Sequence, residues 1–166
     1  SYDDAISEFE IAISLNALDY MTYYLNGLSY EQKGNLSQAL LNYDLCLSIK
    51  PDFTEALFNR AMALFKLEKY KEAIVDLEQL LLLPPGETQA VYFRGIKYGE
   101  DDKNTGFDQV ISMTDKEADI YNYIGLCYFN LGLHEDSRLN YKEAIKRNPN
   151  DDNIRVNAGL NYLELG

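Results

Sequence analysis

The chain is poor in the side chains that do chemistry and poor in positive charge. It holds 2 cysteines in 166 residues, too few for a disulfide framework. Cys46 and Cys127 are read as buried thiols, and the predicted compartment is the reducing cytoplasm. There is no excess of Lys and Arg: 27 acids face 15 bases, for a net charge of -12. Phosphate recognition needs clustered cations, so nucleic acid is excluded as a partner, and anionic membrane surfaces are disfavoured for the same reason. A basic partner is admitted by the charge. No apolar run approaches the ~20 residues that span a bilayer, and no signal peptide is visible. The first residue is Ser1 rather than methionine, which reads as a fragment of something longer.

What the chain does have is a period. Ala5, Ala39 and Ala73 are spaced 34 apart, as are Phe9, Tyr43 and Leu77, and Pro51 and Pro85. A period in the range of about 20 to 50 residues marks a solenoid built from one supersecondary unit. Each unit reads as two helices. From Thr54 to Leu67, Leu57, Ala61 and Leu64 fall on one stripe at helical spacing. Glu68-Lys69 makes a short turn. Tyr70 to Leu83 carries Ala73, Ile74, Leu77, Leu80 and Leu81, and Pro84-Pro85-Gly86 ends the segment. A turn this short sets the two helices antiparallel.

The pair recurs as Tyr20 to Lys33 with Leu36 to Ile49, and as Glu117 to Leu131 with His134 to Arg147. Gly27, Gly95, Gly125 and Gly159 stand where Ala61 stands in the third unit, and a small residue there lets the partner helix approach. Gly34 and Gly132 end first helices as left-handed caps. Thr114-Asp115-Lys116-Glu117 has capping-box spacing ahead of the next helix. The unit at 88–117 is shortened: Gly95 to Gly125 spans 30 residues, and Glu100 to Gly106 reads as a polar loop before a short helix over Phe107 to Met113. Tyr2 to Leu15 matches a second helix without a first, and Asp152 to Leu165 a first helix without a second. The array over 1–166 is thus cut in mid-repeat at both ends, with about ten helices predicted. Ile6, Phe9 and Ile13 at one end and Val156, Leu160 and Leu163 at the other are expected to be uncovered, and the uncapped ends offer a route to self-association.

These units resemble the tetratricopeptide repeat (TPR) family. The pattern of aromatic, small residue and tyrosine on the first helix, then small, aromatic, small and proline, reads Tyr23, Gly27, Tyr30, Ala39, Tyr43, Cys46, Pro51. It recurs as Leu57, Ala61, Leu64, Ala73, Leu77, Leu80, Pro85 and as Tyr121, Gly125, Tyr128, Ser137, Tyr141, Ala144, Pro149. The resemblance implies an all-α, right-handed superhelix whose first helices line a concave groove, and a role in holding other proteins. Some members clamp the terminal carboxylate of heat-shock chaperones with lysines, an arginine and asparagines. The matching places here hold Met21, Leu25, Glu55, Asn59, Gln89 and Phe93, and only Asn59 fits; a glutamate among them would repel the ligand. That function is rejected.

No enzyme is expected. His134 is the single histidine and stands where other second helices begin with tyrosine. The register keeps it from pairing with either cysteine as a nucleophile would need. The acids Glu100 to Asp102 suggest a calcium loop, but Lys103 stands at one of the alternating ligand places. A solvated loop is the better reading, and neither metal nor cofactor is expected.

The aromatics carry the functional reading. The chain has 14 tyrosines and 7 phenylalanines. After the repeat pattern has taken its share, Tyr24, Phe58, Phe65, Tyr92, Phe93, Tyr123 and Phe129 remain on the groove side of first helices. Leu25, Leu28, Met62, Ile96 and Leu126 share that side. Any one ring could be packing between neighbouring helices, Phe65 and Phe129 above all; a continuous stripe points to an interaction site. Asn59, Asn122 and Asn157 interrupt it with amides able to bond a peptide backbone. Glu31, Glu55, Glu100 and Asp119 edge it and could meet Lys or Arg of a ligand. The sequence therefore predicts a module that takes a peptide or helix of another protein, with apolar anchors and basic residues. The rival expectations are end-to-end stacking, or a scaffold for an activity elsewhere in a longer protein.

Overall fold

The computed structural model describes residues 1–83 and 113–166. Among them are eight α-helices and no strand: α1 (Tyr2–Leu15), α2 (Tyr20–Gln32), α3 (Leu36–Ile49), α4 (Thr54–Lys66), α5 (Tyr70–Leu82), α6 (Met113–Asn130), α7 (His134–Arg147) and α8 (Asp152–Leu165). Consecutive helices pack on one another, in two layers. First helices α2, α4, α6 and α8 form one layer and second helices α1, α3, α5 and α7 the other. The further two helices expected over 88–99 and 107–113 fall on residues outside those described, save Met113.

Local chemistry explains the boundaries. Asp19, Asn35 and Asp151 each accept a bond from a first-turn amide of the helix they open (Met21 N at 3.1 Å, Gln38 N at 3.2 Å, Asn153 N at 2.8 Å). Ser1 and Asp4 form a capping box on α1. Within each pair the chain reverses through one left-handed residue: Gly34 at φ 76°, Glu68 at φ 60° and Gly132 at φ 73°. The amide after each of these donates back to the carbonyl of Tyr30, Leu64 or Tyr128 in turn, each at 2.9 Å. Glu68 is the one non-glycine of the three, and a side chain in that region costs about 1 kcal/mol. Glu68→Gly is therefore expected to raise stability by up to about 1 kcal/mol, read from the urea midpoint. A destabilised variant would mean that glycine's freedom in the unfolded chain outweighs the relief.

One boundary differs from the sequence reading. α6 is already helical at Met113, so Thr114 to Glu117 lie inside the helix rather than ahead of it. Nothing in that stretch forbids helix: it contains neither Gly nor Pro.

The small residues work as seats. A Cβ built on Gly27 would lie 2.6 Å from the Tyr43 ring, and one on Gly125 2.7 Å from the Tyr141 ring. In the middle unit Ala61 and Leu77 occupy the same two places, both fully buried. Each seat and its occupant are 16 residues apart in the sequence.

The placement of α6 was not legible in the repeat count. First helices touch their successors in one register. Asn59 of α4 reaches Tyr24 of α2, and Asn157 of α8 reaches Asn122 of α6, both 35 positions apart. Phe58 of α4 meets Tyr123 of α6 in the same structural relation, 65 positions apart. So α6 stands against α4 as a directly following first helix would, with 30 additional residues of chain between them. The shortened unit expected at 88–117 lies outside the described residues apart from 113–117, which open α6.

At the ends, the expectation for α1 needs correction. Ile6 is buried and Phe9 and Ile13 are half-buried, because that face packs on α2, with Ile13 against the buried cluster that includes Tyr23. The exposed apolar residues there are Ile11, Leu15 and Leu18 instead. On α8, Val156, Leu160 and Leu163 are 60%, 51% and 79% exposed.

Candidate functional site

Helical periodicity places Tyr24, Leu25 and Leu28 of α2, Phe58, Asn59 and Met62 of α4, Asn122, Tyr123 and Leu126 of α6, and Asn157 of α8 on the same side of the first-helix layer. Leu25 is 37% exposed and the rest are half-buried. The expected site residues Tyr92, Phe93 and Ile96, and the acid Glu100, lie outside the described residues.

The structure gives several of these residues a second task. Asn59 Nδ2 donates to Tyr24 Oη at 3.1 Å, and Asn157 Nδ2 donates to Asn122 Oδ1 at 3.0 Å. The amides read as free for a peptide backbone thus each spend a donor on the neighbouring helix. The rings likewise meet edge to face. Phe58 stands 6.1 Å from Tyr123, Phe65 lies between Tyr70 at 5.4 Å and Tyr123 at 6.2 Å, and Phe129 packs on His134 at 5.3 Å. The face is a partly sunken floor of ring edges, with Leu25 rising from it.

Its electrostatics are acidic. Glu31 is held by two donors, the Tyr43 hydroxyl and Lys66 Nζ, each at 2.8 Å. Glu55 accepts from Thr54 Oγ1 at 3.0 Å and Asp119 lies beside Tyr123. Burial first, then Glu55, pushes the Tyr24 phenol up to about 12, so it stays a neutral donor. Burial also raises the Cys46 and Cys127 thiols to about 12, and a protonated thiol is a poor nucleophile. His134 is tied to α8: its Nδ1 is 3.2 Å from Asn161 Oδ1, and Asn161 Nδ2 donates to its carbonyl at 2.9 Å. Among the described residues no group of three His, Cys, Asp or Glu side chains could hold a metal, and no helix is long and apolar enough to cross a membrane.

Two features escaped the sequence reading. Phe53 is buried at the joint between units, edge-on to Tyr20 at 5.2 Å and Tyr24 at 5.0 Å. Arg60 makes a two-pronged pair with Asp76 and also reaches Asp44. The spacing of 16 that couples Gly27 to Tyr43 couples Arg60 to Asp76 as well, and it was the signal available.

Repeat models of one family match three successive stretches, 22–53, 54–85 and 118–151, together more than half of the chain. The chain belongs to the tetratricopeptide repeat family. The matched stretches are the α2–α3, α4–α5 and α6–α7 pairs. Human Tetratricopeptide repeat protein 13 is 28% identical over 155 residues, covering 88% of this chain and 18% of its own length. The array thus spans under a fifth of that relative. The solved structure of MamA superimposes with a TM-score of 0.74 at 20% identity, covering 99% of this chain and 74% of that one. The first TPR of Spaghetti (RPAP3), bound to HSP90 peptide SRMEEVD, gives 0.62 at 18% identity, covering 88% and 92%. At these identities the likeness shows the fold. A tetratricopeptide array is an interaction module, and that much function follows from the family.

Proposed function

We propose that the first-helix face of this tetratricopeptide array binds a helix or extended segment of a partner protein through apolar anchors flanked by Lys or Arg. The observation that carries this is the floor itself: Leu25, Leu28, Phe58, Met62, Tyr123 and Leu126 are only partly buried, and the acids Glu55 and Asp119 stand beside them, while Glu31 and Lys66 answer one another. The cation Lys66 at the edge is already held by Glu31. The acidic peptide seen on the Spaghetti domain is thus the wrong sign for this face.

The test is a panel of fluorescent peptides sharing apolar anchors at one-turn spacing and differing only in Lys or Glu between them. The Lys series is expected to bind and the Glu series to fail. Met62→Lys with Leu126→Lys should weaken binding by about 2 kcal/mol or more, the scale of an interface hot spot, with helicity retained. Glu55→Lys with Asp119→Lys should reverse the preference. Equal binding of both series would remove the electrostatic part of the reading. Unchanged binding by the Met62/Leu126 variant would place the site elsewhere.

A further inference from the structure

The first-helix face repeats its places in register, but the joints between its helices are not alike. Tyr24, Phe58, Asn122 and Val156 hold one place on α2, α4, α6 and α8, and Leu25, Asn59, Tyr123 and Asn157 hold the next. Where two first helices meet, the first of these places touches the second on the following helix. At the α2–α4 joint the pair is Tyr24 with Asn59, a hydrogen bond of 3.1 Å. At the α6–α8 joint it is Asn122 with Asn157, at 3.0 Å. At the α4–α6 joint it is Phe58 with Tyr123, edge to face, with ring centroids 6.1 Å apart. The face thus runs polar, aromatic, polar. One turn on from the aromatic pair stand Met62 and Leu126, both half-buried, and Met62 packs on the buried cluster around Leu77 and Ile124. The acids follow the same division. Glu55 and Asp119 stand one turn before Asn59 and Tyr123, on the two helices that make the aromatic joint, where α2 and α8 have Met21 and Asn153.

We propose that the groove selects an extended segment with one large apolar residue, seated on Phe58, Met62, Tyr123 and Leu126. Lys or Arg stands beside that residue, and polar residues stand three places before and after it. This rests on the function proposed above and narrows it. The spacing comes from the fold. Packed helices lie about 8–10 Å apart, and an extended polyproline-II chain advances about 3.1 Å per residue with about three residues per turn. Every third side chain therefore returns to the floor one joint further on. Such a chain has no internal hydrogen bonds, so its backbone groups suit the polar joints; a helix has already spent its own. A large apolar side chain over either polar joint would cover amides that it cannot bond, which is unfavourable. Over the aromatic joint it meets ring edges and aliphatic side chains, and a neighbouring cation meets Glu55 or Asp119. The pattern reads the same in both directions, so it holds whichever way the segment runs.

The experiment is fluorescence anisotropy with labelled peptides that carry Phe, Leu or Asn at the middle place, Lys on either side of it, and Ser three places away at both ends. Wild type should prefer Phe or Leu to Asn by at least ~10-fold in Kd. A second Phe in place of one outer Ser should gain less than ~2-fold. Two swaps drawn from the chain itself test the cause. Phe58→Tyr with Tyr123→Asn copies the Tyr24–Asn59 joint and should abolish the preference for Phe over Asn. Tyr24→Phe with Asn59→Tyr copies the aromatic joint onto α2 and α4, and should make the second Phe worth ~10-fold. Circular dichroism checks that each double variant is folded, and either swap alone decides the matter. Peptides that bind wild type, lose affinity for the Met62/Leu126 variant and yet show no preference at the middle place overturn the selection rule and leave the groove standing. A preference for Phe that survives Phe58→Tyr with Tyr123→Asn overturns the rule as well. So does a gain from a second Phe placed about seven residues on in a longer peptide, two turns of a helix. Failure of every peptide to bind wild type overturns the groove itself, and the rule with it.

Discussion

Arg60→Ala is expected to destabilise the array by about 3–5 kcal/mol, the range for removing one partner of a buried ion pair. Arg60 Nε donates to Asp76 Oδ2 at 2.8 Å and its Nη2 to Oδ1 at 2.7 Å, a planar fork matched to a carboxylate. The Asp76 side chain is 4% exposed, so without arginine it keeps a charge out of water with nothing to answer it. Asp44 also takes a bond from Arg60, at 2.7 Å, but its side chain is 58% exposed. Asp44→Ala should therefore cost under about 1 kcal/mol. Replacing both members of the buried pair, as Arg60→Met with Asp76→Leu, should recover most of the loss, because the desolvation penalty disappears with the charges. Urea denaturation of wild type and these three variants decides the matter. Arg60→Ala no worse than Asp44→Ala would show that water reaches the Asp76 carboxylate once the arginine is gone.

Tyr43→Ala should cost about as much, roughly 3–5 kcal/mol as for large aromatic truncations. The ring is wholly buried against Gly27, and its hydroxyl donates to Glu31 at 2.8 Å. The loss has two parts, a cavity and an acceptor left short of one donor. The reverse change tests the same seat from the other side. Gly27→Ala gains about 1 kcal/mol of helix propensity. It also forces a methyl to 2.6 Å from a ring with nowhere to go, and overpacking costs about 1–3 kcal/mol. The net is expected to be a loss. Gly27→Ala with Tyr43→Leu copies the Ala61–Leu77 pair and should be more stable than either single change. If the double variant is worse than both singles, seat and occupant are not matched by size.

Much of this architecture was legible because a solenoid writes its packing into a period. The spacing of 34 between Ala5, Ala39 and Ala73, with proline after the second helix, yields helix pairs whose bounds agree with the structure at nearly every described end. Gly34 and Gly132 announced their left-handed turns; Glu68 shows that the third turn is imposed by the pair, since its own side chain disfavours it. The start of α6 was misread because Thr114 to Glu117 has capping-box spacing, and such residues can equally continue a helix. The groove residues were found as a face and not as a set of contacts. Periodicity says which way a side chain leaves its helix, but not which neighbour it then meets, so the tethering of Asn59 to Tyr24 and of Asn157 to Asn122 stayed hidden.

The sequence by itself determined the helix pairs, their order, their small-residue seats and the acidic, aromatic character of the first-helix face, because each depends on neighbours within one turn or one repeat. Only the tertiary structure decided that α6 stacks directly on α4 across 30 extra residues. It also decided that Ile6 and Ile13 face α2 rather than solvent, and that Arg60 sinks its charge into Asp76. Those outcomes depend on which surfaces meet when burial is maximised across the stack, and a one-dimensional period does not say which helices come together across the residues between them.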